Sequence, residues 1–338
     1  MKLRDFYCIC SRSLYFYTYC EINKEGEVVI MFFQIGSLAV GFLFLVKGAD
    51  WFVEGSANIA QKLGIPQLII GLTIVAMGTS MPEAAVSITA AMQQNAGITI
   101  GNVVGSNILN ILIILGITAM ITNVAIQKST LCYEIPFMMF VTIILIIFGI
   151  TGAEVTFVEG VIFLILFLIY LDYLFIMAKQ GKSDEEETKN IPIWKCVLMI
   201  VIGGILVVKG SDFTVSGASE IARCFGISER FIGLTIVAFG TSLPELVTSL
   251  IAAKRGNAGI AIGNIVGSNI FNILFVIGTS ALIYSVPFEN KFIVDTIIAV
   301  AAGGILWIGT FKNKELRKKC GVIMLLCYTA YFIYLCIV

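Results

Sequence analysis

A chain of 338 residues that is 58% hydrophobic and only 13% charged departs from the roughly 25% charged residues of a soluble domain and has the composition of a membrane protein. Its 22 basic and 22 acidic residues cancel, so net charge points to no partner. The absence of histidine removes the commonest transition-metal ligand and the usual neutral-pH acid–base group, which argues against zinc chemistry.

Residues 1–30 carry Lys2, Arg4, Arg12 and Lys24 with three cysteines, and lack the long apolar core and small-residue cleavage site of a signal peptide. Met31 then opens a clean apolar run, so 1–30 read as an extension or a misassigned start. Ten apolar stretches follow, at 33–60, 66–92, 98–122, 131–150, 155–178, 193–222, 228–253, 260–284, 290–311 and 320–337. Each suits a hydrocarbon core of about 30 Å. They show no strand alternation, and backbone in lipid must satisfy its own hydrogen bonds, so the expected fold class is an all-α membrane protein with ten transmembrane helices. Residues 31–178 and 193–338 form two five-helix halves. The break between them, 179–192, contains the run DEEE and reads as a solvated linker. None of the nine cysteines forms a C-x-x-C pair, and those at 132, 196, 224, 320, 327 and 336 read as small apolar residues of the spans.

Lys and Arg concentrate in the breaks after odd-numbered spans, at Lys62, Lys128, Lys179, Lys254, Arg255 and 312–319, while the other breaks offer only Arg223, Arg230 and Lys291. The positive-inside rule places the former, with the 179–192 linker, in the cytoplasm and both termini outside.

Residues 71–119 and 233–281 match without a gap at an offset of 162, with 31 of 49 positions identical. Five spans per repeat is an odd number, so the second copy enters the membrane from the opposite side. Inverted repeats of this kind are common in secondary transporters, whose sites lie at the repeat interface. Lys47 and Asp50 recur as Lys209 and Asp212 and read as local i, i+3 pairs.

Each repeat contains a G-T-S-x-P-E segment, ending at Glu83 and at Glu245. Proline cannot continue the helical ladder and glycine relaxes the backbone ahead of it, so a helix break is expected. Carbonyls freed in mid-membrane are tolerated only beside a polar cavity, and Thr79, Ser80, Thr241 and Ser242 add hydroxyls there. A carboxylate inside a span costs several kcal/mol on lenient scales and marks a functional site by default. In the next span, Ser106 and Asn110, like Ser268 and Asn272, sit four apart on one helix face. Asn107 and Asn269 point elsewhere and read as partners of backbone groups. The glycines at 101, 105, 263 and 267 read as close helix packing. The resulting oxygen-only site suits hard cations, Ca2+ above all, and its charge of −2 matches one Ca2+ or two Na+.

The paired G-T-S-x-P-E and G-N-x-x-G-S-N-x-x-N segments resemble the two α-repeats of the sodium/calcium exchanger superfamily, and the resemblance covers the chain from Met31 onward. It implies that Glu83 and Glu245 are the central acidic ligands. Thr79, Ser80, Ser106, Thr241, Ser242 and Ser268 would supply hydroxyls, Ala76 and Ala238 backbone carbonyls, and Asn110 and Asn272 would complete the site. Relatives often carry Asp at the position of Asn272, which leaves coupling ion and stoichiometry open. The chain also lacks the large regulatory insert of animal exchangers, which suggests a bacterial or archaeal plasma-membrane protein. The implied function is exchange of Ca2+ for Na+; H+-coupled or K+-dependent exchange is the nearer alternative and a cation channel the remote one. No catalytic residue, cofactor, nucleic acid or obligate protein partner is expected.

Overall fold

A computed structural model describes residues 24–94, 96–180, 191–225 and 238–337. Among these, eight unbroken helices are long and apolar enough to cross a membrane: α1 (Lys24–Leu63), α4 (Ile98–Ile121), α5 (Thr130–Gly152), α6 (Phe157–Gln180), α7 (Ile193–Cys224), α10 (Ala258–Ile283), α11 (Lys291–Phe311) and α12 (Lys318–Ile337). A ninth candidate is a bent pair, α2 (Gln67–Thr79) and α3 (Met81–Met92), which meet at 50°. Its counterpart in the second half is α8 (Ala238–Thr241) and α9 (Leu243–Lys254). The opening stretch of the expected 228–253 span, like most of the 179–192 linker and residues 1–23, lies outside the described residues. Helix α1 is described from Lys24 onward.

The centre of the bundle is set by α10 and α4. Their apolar windows are 94% and 72% buried, against 22–33% for the other unbroken spans. Glycine explains how neighbours come so close to α10: a Cβ on Gly263 would sit 2.7 Å from the Leu68 carbonyl oxygen, and one on Gly267 2.7 Å from that of Leu72. Helices without a hydrophobic driving force in lipid associate through such small-residue seams. A second seam joins α1 to α7. A Cβ on Gly48 would lie 2.9 Å from the Gly203 carbonyl oxygen and one on Gly210 2.8 Å from that of Gly41.

Four two-residue strands tie the halves together. β1 (Val124–Ala125) pairs antiparallel with β4 (Glu315–Leu316), and β2 (Glu154–Val155) with β3 (Val286–Pro287). At the repeat offset, Val124 corresponds to Val286 and Glu154 to Leu316. Each strand therefore pairs across the halves with the counterpart of its neighbour.

The expected local pair at Lys209 and Asp212 is present at 3.1 Å. Asp50 does otherwise: its carboxylate takes the Arg255 Nε at 3.0 Å, and the same guanidinium reaches Glu54 at 3.2 Å. Arg255 stands where the first half has Gln93, so this tie between α1 and the end of α9 belongs to one half only.

Candidate functional site

The break in each repeat falls where Pro was expected to force it. Ser80 and Ser242 leave the helical region at ψ 8° and 5°, and α3 and α9 start anew with Pro82 and Pro244 in their first turns. Glu83 and Glu245 thereby occupy the first turn of a helix, where the backbone dipole favours negative charge. Gly78 is itself helical; its role is space, since a Cβ there would meet the Phe52 ring at 3.0 Å. By position, the carbonyls that lose a partner to Pro82 and Pro244 are those of Gly78 and Gly240. Ser211 donates to the Gly240 oxygen at 2.6 Å. The Ala76 carbonyl keeps its helical partner, Ser80 N at 3.0 Å, and also accepts from Ser268 at 3.4 Å. Ala238 opens α8 at the matching place.

The sequence Ser-x-Pro-Glu has the form of a capping box, in which a Ser hydroxyl serves its own helix. Here the hydroxyls are exchanged. Ser80 donates to Glu245 Oε1 at 2.8 Å and Ser242 to Glu83 Oε1 at 3.2 Å, with Thr79 and Thr241 facing the same two carboxylates. The glutamates, 162 positions apart, are both fully buried, and each accepts from the serine three residues before the other.

Four asparagines lock α4 to α10. The Nδ2 of Asn107 donates to the Asn269 carbonyl at 3.1 Å and that of Asn269 to the Asn107 carbonyl at 3.1 Å, as expected for residues serving backbone groups. Their Oδ1 atoms must then face outward as acceptors, and they receive the Nδ2 of Asn272 at 3.2 Å and of Asn110 at 3.0 Å. That fixes the last two amides in turn. With nitrogen committed to the lock, Asn110 and Asn272 must present oxygen on the other side. Each also opens a π-helical turn, Asn110–Leu115 and Asn272–Ile277, a widening frequent at functional sites. These turns pack against α9 and α3 respectively, the helices that carry the glutamates.

Glu83 Oε2, Glu245 Oε2, Asn110 Oδ1 and Asn272 Oδ1 are all buried without a hydrogen-bond partner. Buried polar atoms are normally paired. Four acceptors related in pairs by the internal repeat lack donors together, a set that a cation would satisfy. Ser106 and Ser268 are buried one helical turn before the two asparagines.

The structure adds residues that sequence reasoning passed over. Asn102 donates to the Glu83 carbonyl at 3.1 Å and to Ser87 Oγ at 2.9 Å. Asn264 does the same for Glu245 and Ser249, at 3.3 and 2.8 Å, and its Oδ1 lies 2.9 Å from the Thr79 hydroxyl. Both pairs obey the 162 offset, and that was the available signal.

A membrane-spanning helical bundle whose centre gathers two carboxylates and two amide oxygens with no donor has the chemistry of a cation carrier. The chain belongs to the sodium/calcium exchanger family: the model described as sodium/calcium exchanger protein matches residues 33–176 and 195–337. It is 37% identical over 297 residues to the uncharacterized membrane protein MJ0091 of Methanocaldococcus jannaschii, covering 87% of this chain and 95% of that one. It is 33% identical to the sodium/calcium exchanger MaX1 of Methanosarcina acetivorans, covering 88% and 97%. A solved structure of the sodium-calcium exchanger NCX_Mj, soaked with 2.5 mM Na+ and 10 mM Sr2+, superposes with a TM-score of 0.80 at 35% identity over 90% of this chain and 99% of that one. The protein is thus a membrane cation antiporter of the Ca2+-exchanging kind, a transporter and not an enzyme.

Proposed function

We propose that this chain exchanges Ca2+ for Na+ across a bacterial or archaeal plasma membrane by alternating access. Glu83, Glu245, Asn110 and Asn272 would hold the ions, with hydroxyls from Thr79, Ser80, Ser106, Thr241, Ser242 and Ser268 around them. The observation that carries this reading is the set of four unpaired, buried acceptors. Ca2+ takes six to eight oxygens in flexible geometry, and the site offers oxygen alone. Two carboxylates are neutralised by one Ca2+ or two Na+, whereas the empty site carries −2 into a medium that penalises charge. Moving loaded is therefore easier than moving empty, which is the physical basis of exchange.

Ten crossings in two inverted halves complete the proposal, and the strand pairs support it. β1 can meet β4 only if an even number of crossings separates them. Helices α5, α6, α7, α10 and α11 supply five, and the expected 228–253 span, of which α8 and α9 are the described part, would be the sixth. β2 and β3 impose the same condition, with α6, α7 and α10 between them. The basic breaks then fall on the cytoplasmic face with the 179–192 linker, and both termini outside.

The test is flux in proteoliposomes loaded with Na+ and diluted into Na+-free medium containing 45Ca2+. Uptake should follow the imposed Na+ gradient and nearly vanish in Glu83→Gln and Glu245→Gln. Uptake driven by a pH gradient alone, uptake that requires K+, or Ca2+ entry with no counter-gradient would each replace Na+ coupling with one of the alternatives. Wild-type rates in both glutamine variants would move the site elsewhere.

A further inference from the structure

A third buried carboxylate stands apart from the site above. Glu134 closes the π-helical turn Thr130–Glu134 that opens α5, and it is 1% exposed. Its Oε1 accepts a hydrogen bond from the Tyr173 hydroxyl of α6. Its Oε2 has no partner, and neither has the hydroxyl of buried Tyr170. Both residues line a cavity of about 490 Å³, whose wall is otherwise Cys132, Tyr133, Tyr173 and apolar side chains, within the size range of small-molecule sites. Tyr133, Phe140 and Ile169 at its mouth are 62%, 51% and 58% exposed, so it opens on the outer surface of the bundle, toward lipid.

The wall decides which ligand fits. A Ca2+ ion needs six or more oxygens, and this chamber offers one free carboxylate oxygen, three phenols and the soft sulfur of Cys132. An organic ammonium needs a single counter-charge and aromatic faces. Phe137 stacks on Tyr170 with centroids 5.5 Å apart, Tyr170 on Tyr173 at 6.5 Å, and Tyr133 tilts over Tyr173 at 6.3 Å. At the repeat offset, Glu134 becomes Thr296, Tyr170 becomes Phe332 and Tyr173 becomes Leu335. The hydroxyl of Thr296 is satisfied by the Phe292 carbonyl at 2.6 Å. One residue before Thr296, Asp295 accepts from the Tyr331 hydroxyl at 3.0 Å, so the second half carries a carboxylate–tyrosine pair of its own on the equivalent helices.

We propose that the Glu134 cavity binds an ammonium group carried on an apolar body, either a membrane-dissolved amine or the headgroup of an ammonium-bearing lipid. The charged end pairs with Glu134 Oε2 against the rings of Tyr170 and Phe137, and the apolar body leaves through the mouth into the bilayer. Glu134 lies one helical turn into α5, about 6 Å from its start, a depth that both sources reach.

Trp307 is a built-in reporter, since its Nε1 donates to the Leu131 carbonyl in the same π turn at 2.7 Å. With Trp51→Phe and Trp194→Phe in the full-length chain, it is the one tryptophan left of three. Hexyltrimethylammonium would be titrated into phosphatidylglycerol proteoliposomes at saturating Ca2+. A saturable change in Trp307 fluorescence is expected, at least tenfold weaker in affinity with Glu134→Gln and at least tenfold weaker for the uncharged isostere 2,2-dimethyloctane. Equal responses to the two compounds, an unchanged Glu134→Gln, or displacement of the probe by Ca2+ would overturn the proposal. If Glu134→Gln does not fold, the comparison of the two compounds on unsubstituted Glu134 decides. Repeating the titration in phosphatidylethanolamine vesicles separates the sources. A signal already saturated before the probe is added assigns the site to the lipid headgroup, and an unaltered titration assigns it to free amines.

Discussion

Removing the Asn269 side chain tests how the ion site is aimed. Asn269→Ala deletes the 3.1 Å bond to the Asn107 carbonyl and the 3.0 Å bond from Asn110 Nδ2. Each net bond is worth about 1 kcal/mol, and a partner left buried and unpaired costs about 1–3 kcal/mol. The fold should therefore lose on the order of 2–5 kcal/mol, visible as a lower Tm in detergent. The effect on transport is distinct. Asn110 presents oxygen to the site only because Asn269 holds its nitrogen; once released, the amide can turn and offer a donor. One lost ligand of charge-assisted strength is worth about 1.5–3 kcal/mol, so the apparent Ca2+ affinity in 45Ca2+ uptake should fall by roughly 10- to 100-fold. Asn107→Ala, the equivalent change at Asn272, should match it within a few-fold. A variant with lowered Tm and unchanged Ca2+ affinity would show that the lock is structural and that Asn110 faces no ion.

Asn272→Asp adds a third carboxylate and gives up the 3.2 Å bond from Nδ2 to Asn107 Oδ1; the added charge outweighs that neutral bond, so apparent Ca2+ affinity measured by uptake at alkaline pH should rise several-fold, and no change there would take Asn272 off the ion path. Gly267→Val puts a side chain 2.7 Å from the Leu72 carbonyl and 2.8 Å from the Ala76 Cβ, so size-exclusion profiles should show little folded protein, while Gly304→Ala, with nothing within 4 Å, should behave as the parent. Arg255→Gln breaks a half-exposed tie to Asp50 and Glu54 and should cost about 1 kcal/mol at low salt, with the Tm difference shrinking as NaCl is added; a salt-independent difference would refute an electrostatic origin.

The glutamates and the breaks before them were readable in the sequence because each rests on local chemistry: Pro removes an amide, and a carboxylate in an apolar run has no local excuse. The partners were harder to see. That Ser80 serves Glu245 instead of its own helix depends on how two broken helices face each other, which no spacing encodes. Asn102 and Asn264 repeat at the 162 offset as faithfully as the glutamates, yet only the folded chain shows that they grip the glutamate backbone. The π turns at Asn110 and Asn272 shift helical phase, so 3.6-residue periodicity ceases to predict which face the following residues present. The pairing of Asp50 with Arg255 was hidden because a lysine three residues away in sequence offered a simpler explanation. Glu134 was passed over because it lies outside the gapless repeat of 71–119 and 233–281, where the comparison of the halves was made.

The contacts between the halves are reciprocal. Ser80 with Glu245 mirrors Ser242 with Glu83, and Asn107 and Asn269 give each other the same bond. In an assembly of two identical subunits this pattern defines an isologous interface, where one patch complements itself. Asn107 meeting its own equivalent marks where the dyad would pass. On the proposed topology, a single five-helix ancestor would have built the same centre by pairing with an oppositely oriented copy of itself. Fusion of the two freed each half to diverge, as Arg255 already has against Gln93.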